Sequence, residues 1–120
     1  MTDSLLVQLR KGALDLCVLA MLAQQDGYAY DIASRLAQDI GMGEGTIYPL
    51  MRRMQSDGLV KTYLEESCSG PPRKYYQLTR AGHAALAAQR AEWTDFVASV
   101  AKVLSDAKPA PSAKTAGGTR

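Results

Sequence analysis

The sequence holds one histidine, His83, and two cysteines, Cys17 and Cys68, all far apart in the chain. Neither residue type recurs at ligand spacing, so a transition-metal site lacks a donor set. Two cysteines also make no disulfide framework. No apolar run reaches the roughly 20 residues of a membrane helix, and the opening Met1-Thr2-Asp3-Ser4 lacks the basic start of a signal peptide. A cytoplasmic protein with no membrane partner is expected. Catalytic signatures are missing as well: there is no glycine-rich phosphate loop, no nucleophile elbow and no second histidine. Glu65 and Glu66 are adjacent carboxylates in a hairpin and read as a solvated edge. The expectation is a non-enzyme without a cofactor.

The charge excess is also small. A net +2 does not by itself point to nucleic acid, but its distribution is informative. Residues 1–43 are net negative, whereas Arg52, Arg53, Lys61, Arg73, Lys74 and Arg80 gather between 44 and 80. Such a local basic footprint is what a nucleic-acid face requires. With 120 residues, 47% hydrophobic and 22% charged, the chain is globular and long enough for one modest core.

The central stretch is Gly43 to Gly58. Ile47, Leu50, Met51 and Met54 fall at i, i+3, i+4 and i+7, one stripe of an α-helix, and Gly58 stops it as a C′ glycine does. Off the stripe lie Thr46, Tyr48, Pro49, Arg52 and Arg53. An apolar back with a hydroxyl and arginine front suits the major groove, which admits one helix and rewards arginine at guanine edges; it also suits an ordinary solvated face. Pro49 lacks a donor and its ring presses on the carbonyl of Gly45, the residue that yields most easily. An irregular helix start at Gly43 is expected, the alternative being a later start near Thr46 that puts Pro49 in the first turn.

Around this stretch, residues 4 to about 24 read as a first helix. From Ala13 to Ala23 it is apolar almost all round with Asp15 its only charge, which suggests a second chain covering one side. A second helix runs from about Tyr28 to Asp39, and Gly41-Met42-Gly43 turns into the third. Leu59 to Glu65 and Arg73 to Leu78 are strands about a turn holding Gly70, Pro71 and Pro72. Within the second strand Tyr76 should face inward with Leu78, and Tyr75 outward. Thr79 caps a last helix to about Leu104, where Leu86, Trp93 and Val100 repeat every seven residues. Val97 and Leu104 support that seam and Phe96 and Val103 widen it, the pattern of a helix that pairs with another. The expected fold is mainly α with a small β-hairpin: a winged helix-turn-helix over 1–79, a dimerisation helix over 80–105 and a disordered tail over 106–120.

In these blocks the chain resembles the PadR family of bacterial transcriptional regulators. The matching residues are Gly12-Ala13-Leu14-Asp15-Leu16, Gly27-Tyr28, Gly45-Thr46-Ile47-Tyr48-Pro49-Leu50, Gly58-Leu59-Val60, and Arg73-Lys74-Tyr75-Tyr76-Gln77-Leu78-Thr79 with Gly82. The resemblance implies a homodimer that binds a near-palindromic operator in double-stranded DNA, usually a repressor released by a small molecule. It places Thr46, Tyr48, Pro49, Arg52, Arg53, Arg73 and Lys74 at DNA. It also makes the C-terminal helix the dimerisation element, and the heptad seam with the start of the first helix then gives Leu5, Leu86, Trp93, Val97, Val100 and Leu104 as the expected dimer contacts. In multidrug-sensing relatives a tryptophan at the position of Trp93 stacks planar aromatic ligands, which makes Trp93, Phe96, Val97, Leu6 and Leu9 an effector-site expectation beside plain seam packing. Two departures stand out: Gly43 replaces a hydroxyl cap, and the wing tip carries Cys68. Low net charge keeps a second reading open, a winged-helix module that binds protein and not DNA.

Overall fold

The computed structural model describes residues 4–109. Its elements are α1 (Leu5–Gln24), β1 (Gly27–Tyr28), α2 (Ala29–Asp39), α3 (Glu44–Ser56), β2 (Val60–Glu65), β3 (Arg73–Leu78) and α4 (Arg80–Asp106). Four helices and one antiparallel sheet of order β1-β3-β2 make a mainly helical winged helix-turn-helix. The chain divides into two compact units, Met1–Arg90 and Ala91–Arg120. The tail expected over 106–120 gives its first residue to α4, and residues 110–120 lie outside those described.

In the first unit the core follows the apolar stripes. Leu14, Val18, Leu19 and Leu22 of α1 meet Ile32 and Leu36 of α2 and all four stripe residues of α3. The wing closes this core with Val60, Tyr76 and Leu78. Ser4 caps α1, its hydroxyl accepting from the Val7 amide at 3.2 Å. Gly41 ends α2 at φ 82° with its amide on the Leu36 carbonyl, and so sets the helix-turn-helix turn. Gly58, at φ 78°, ends α3 in a Schellman pair: its amide reaches the Gln55 carbonyl, and the Leu59 amide reaches that of Met54.

Three expectations are corrected here. Gly27–Tyr28 does lead into α2, with Tyr28 at its N-cap, but the pair also forms an unexpected third strand, pairing Gly27 with Tyr76 and Tyr28 with Tyr75. Part of the apolar girdle of α1, for which a covering second chain was expected, is met within the protomer, because Leu16, Cys17, Ala20 and Met21 pack partly buried against its own core. Leu86, expected on the dimer seam, is also a core residue at 8% exposure. It lies within the first turns of α4 and belongs to the protomer's core cluster. By contrast Leu5, Leu6 and Leu9, near the start of α1, stay more than half exposed.

Within the second unit every described residue is exposed. Trp93, Val97, Val100 and Leu104 recur at i, i+4, i+7 and i+11 and form one stripe, with exposures from 39% to 69%. Phe96 and Val103 flank it, at 63% and 70%.

Candidate nucleic-acid interface

A helix turns 100° per residue, so burying Ile47, Leu50, Met51 and Met54 fixes where the rest of α3 points. Gly45, Pro49, Arg52 and Ser56 form the ridge directly opposite the core. Thr46 and Arg53 lie on one flank, Tyr48 and Gln55 on the other. The contacts agree with this wheel. Arg53 reaches α1, where Asp15 accepts from its Nη2 through both carboxylate oxygens at 3.2 Å. On the opposite flank Gln55 donates to the Thr62 hydroxyl of β2 at 3.5 Å.

The start of α3 has little to cap it. Gly43 contributes no side chain, and the Thr46 and Ile47 amides both turn to its carbonyl, at 3.1 and 3.3 Å. Glu44 in the first turn complements the positive end of the helix and accepts a hydrogen bond from Tyr48 one turn on. Pro49 sits inside α3, so the Gly45 carbonyl has no α-helical donor. Desolvation raises the pKa of the Tyr48 hydroxyl, and the adjacent Glu44 carboxylate adds to the shift. Tyr48 is therefore a neutral, half-buried phenol beside the exposed ridge.

The two arginines of α3 are not equivalent. Arg52 stands mid-ridge, exposed, and makes no ion pair among the described residues. Arg53 is held by Asp15, with Asp57 a looser second partner at 4.0 Å. Between α1 and α3 runs an open groove of about 390 Å³, lined by Lys11, Leu14, Asp15, Thr46, Pro49, Leu50 and Arg53. Thr46 and Pro49 thus share this groove with Arg53, while Arg52 does not.

The wing separates its own cations. Side chains alternate along a strand, and Tyr76 and Leu78 face the core. Lys74 therefore projects on the core side, its ammonium 5.9 Å from the Tyr76 ring. Arg73 projects on the other side, 4.7 Å from the centre of the Tyr28 ring. There the register aligns Tyr28, Tyr75 and Tyr63 across all three strands. Their rings stand 5.6 and 5.8 Å apart, and the Tyr63 hydroxyl donates to Asp26 at 2.7 Å. Tyr75, expected to face solvent or DNA, is the half-buried middle of this ladder. That Asp26 bond is the largest cause of the rise in the Tyr63 pKa to about 12.

Sequence reasoning did not find the partners. Asp15 was visible as the single charge in an apolar stretch, and a charge there asks for a counter-ion. The Tyr28–Tyr75–Tyr63 ladder had no comparable signal, since it depends on the pairing of β1. Leu64, 69% exposed and opposite Lys74 near the wing tip, was also missed. Cys68 lies in the exposed turn, while burial raises the Cys17 thiol pKa and keeps it protonated. No helix among the described residues is long and apolar enough to cross a membrane.

Comparison with known proteins bears on this arrangement. Residues 18–88 match the family model described as the transcriptional regulator PadR-like family. A PadR-like transcriptional regulator of Bacillus cereus is 33% identical, with a TM-score of 0.73 over 84% of this chain and 99% of that one. A PadR family transcriptional regulator from Eggerthella lenta is 35% identical, with a TM-score of 0.75 over 84% and 89%. A third, a PadR family transcription regulator from Clostridium difficile, is 32% identical, with a TM-score of 0.71 over 77% and 98%.

Proposed function

Since the chain belongs to the PadR-like family of transcriptional regulators, we propose that it is a homodimeric repressor that binds a near-palindromic operator through α3 and is released by a planar aromatic molecule. The observation that carries the DNA reading is the bare ridge of α3. Gly45, Pro49 and Arg52 stand opposite the core, with no side chain between them and solvent. A ridge of small residues lets the helix enter the major groove closely, and Arg52 then supplies the bidentate contact to guanine O6 and N7. Thr46 and Tyr48 flank the ridge and touch the walls of the groove. Arg73 and Lys74, on opposite faces of the wing, contact phosphates on either side of it and position the protein without reading sequence.

The dimer rests on the exposed stripe Trp93, Val97, Val100 and Leu104, which a second copy of the helix covers. Leu86 no longer belongs to that seam. The dimerisation element is therefore the part of α4 beyond Arg90, and the DNA-binding domain ends with the first unit rather than at residue 79. The protein acts in the cytoplasm, where the operator is.

Selection from a library of random duplexes tests this reading. The enriched sequence should be an inverted repeat with half-site centres about 10–10.5 base pairs apart, as two reading helices 34–36 Å apart demand. Affinity for it should fall by about 0.9 log units per log unit of salt for each phosphate neutralised. A library with no enriched sequence and no salt-dependent binding would leave a module that binds protein instead.

A further inference from the structure

We propose that Asp15 is a specificity-determining residue: by holding Arg53 it keeps one cation of the reading helix from binding any DNA regardless of sequence. This inference rests on the DNA-binding role proposed above. Arg53 lies on the α1 flank of α3, beside Thr46 and along the groove that also holds Lys11. A phosphate rail passing that groove would meet its guanidinium. In the free protein both oxygens of Asp15 already accept from Arg53 Nη2, at 3.2 Å, and Asp57 stands at 4.0 Å from Nη1. Both side chains of the Asp15 pair remain accessible, at 54% and 37%, so a phosphate can compete for Arg53.

The consequence follows from what phosphate contacts do. They add affinity for every duplex alike and carry no sequence information. An unpaired Arg53 would strengthen binding to random DNA as much as to the operator. Paired with Asp15, it brings no net charge to the rail. The carboxylate also repels the backbone until the pair opens. Discrimination is a difference of affinities, and suppressing the common term sharpens it when random sites compete for the protein. Asp15 is the only charge between Ala13 and Ala23. Its presence in that apolar stretch is accounted for by this pairing.

Binding of the full-length protein to a random duplex and to the selected operator, each measured across a salt series, tests the proposal. Asp15→Asn keeps the shape and removes the charge, and Asp15→Glu keeps the charge. One released cation steepens the salt slope by about 0.9, which corresponds to about eightfold tighter binding near 0.1 M salt. Asp15→Asn should show that gain on both duplexes, and Asp15→Glu should match wild type. On an Arg53→Ala background the same Asn substitution should gain clearly less, because only the carboxylate's own repulsion is then removed. Thermal unfolding of each variant checks that the fold is kept, and Asp15→Ser serves in place of Asn if that variant does not fold. Wild-type binding that Asp15→Asn leaves unchanged or weakens would overturn this inference and leave the DNA reading standing. An equal gain with and without Arg53 would overturn it too, because Asp15 would then act through its own charge alone. Failure of both proteins to bind any duplex would remove both proposals.

Discussion

The Thr79 hydroxyl donates to the Gly58 carbonyl at 2.6 Å and accepts from the Gly82 amide at 3.0 Å. One side chain thereby joins the glycine that ends α3 to the first turn of α4. The Thr79 amide adds a bond to the Leu59 carbonyl at 3.1 Å. Replacing threonine by valine keeps the shape and removes both hydroxyl bonds. Loss of a cap costs about 1 kcal/mol, and a bond left unmade at a carbonyl adds a comparable amount. Thr79→Val should therefore lower stability by about 1–2 kcal/mol in urea unfolding at unchanged m-value, while Thr79→Ser stays close to wild type. Equal losses for both variants would show that the methyl group, not the hydroxyl, is what matters.

Gly82 and Gly12 are both helical glycines, and alanine should act on them with opposite sign. A Cβ at Gly82 overlaps the Leu59 carbonyl oxygen and lies 2.8 Å from the Leu78 side chain. Backbone at Leu59 can move only by loosening the junction that Thr79 closes. Gly12 has nothing within 4 Å of such a Cβ, and a mid-helix glycine costs about 0.5–1 kcal/mol relative to alanine. Gly12→Ala should raise the melting temperature, and Gly82→Ala should lower it by the roughly 10–20 °C that about 2–3 kcal/mol means for a small domain.

Tyr63 gives a pH prediction. Its hydrogen bond to Asp26 and its partial desolvation favour the neutral phenol, which places the folded pKa at about 12 against 10 for an ordinary tyrosine. The raised group binds its proton more tightly in the folded state. Its contribution to stability is therefore fully present below pH 10 and is lost as pH rises through about 12. Absorbance titration of the phenolates should show a transition near pH 12 that is absent in Tyr63→Phe. That variant should also lose less stability than wild type between pH 10 and 12. A transition near pH 12 that persists in Tyr63→Phe would assign it elsewhere.

How far the sequence foretold the fold depends on the range of each interaction. The α3 helix was legible because its stripe and its stop are local: Ile47, Leu50, Met51 and Met54 are all buried, and Gly58 has the positive φ a C′ residue needs. The two-residue strand β1 has no period to detect and exists only through its pairing with Tyr75 and Tyr76. Heptad spacing placed Leu86 in series with Trp93, yet periodicity cannot tell which body covers a stripe. The protomer's own core covers Leu86 and leaves Trp93 at 45% exposure. At the candidate site the positions on α3 were legible, but the hold of Asp15 on Arg53 crosses between helices and was not. The separation of Arg73 from Lys74 was within reach, since the alternation that sorted Tyr75 from Tyr76 applies one turn of the strand earlier.

Arg52 and Arg73 should fail differently when replaced by alanine. A base-reading arginine is worth about 1–3 kcal/mol of discrimination, whereas a phosphate contact weakens all sequences alike and lowers the salt slope by about one. Arg52→Ala should cut the ratio of operator to random binding with little change of slope. Arg73→Ala should weaken both duplexes in parallel. Arg73 also leaves the Tyr28 ring when removed, so the fold of that variant needs its own melting curve. Parallel losses for Arg52→Ala would take the base-reading role from it.

Trp93 begins the exposed stripe on which the dimer proposal rests, and its neighbours decide which ligands suit it. Val97, Val100 and Leu104 follow on the same side, whereas Asp95 lies about 200° around the helix by its spacing. No carboxylate joins the indole on the stripe, so a cation would be desolvated there without a counter-charge. Neutral or phenolic planar molecules fit better, stacked between the two indoles that the two-fold axis of the proposed dimer would bring together. Such a ligand shifts operator binding only if it prefers the released dimer, and a tenfold loss of affinity corresponds to about 1.4 kcal/mol of coupling. Titration with a neutral flat heteroaromatic compound should quench the indole and release the operator over the same concentration range. A cationic analogue of equal size should do neither. In Trp93→Ala, shown to be dimeric by sedimentation, the operator should stay bound at the same ligand concentration. An unaltered release from that dimer would reduce Trp93 to a filler of the seam.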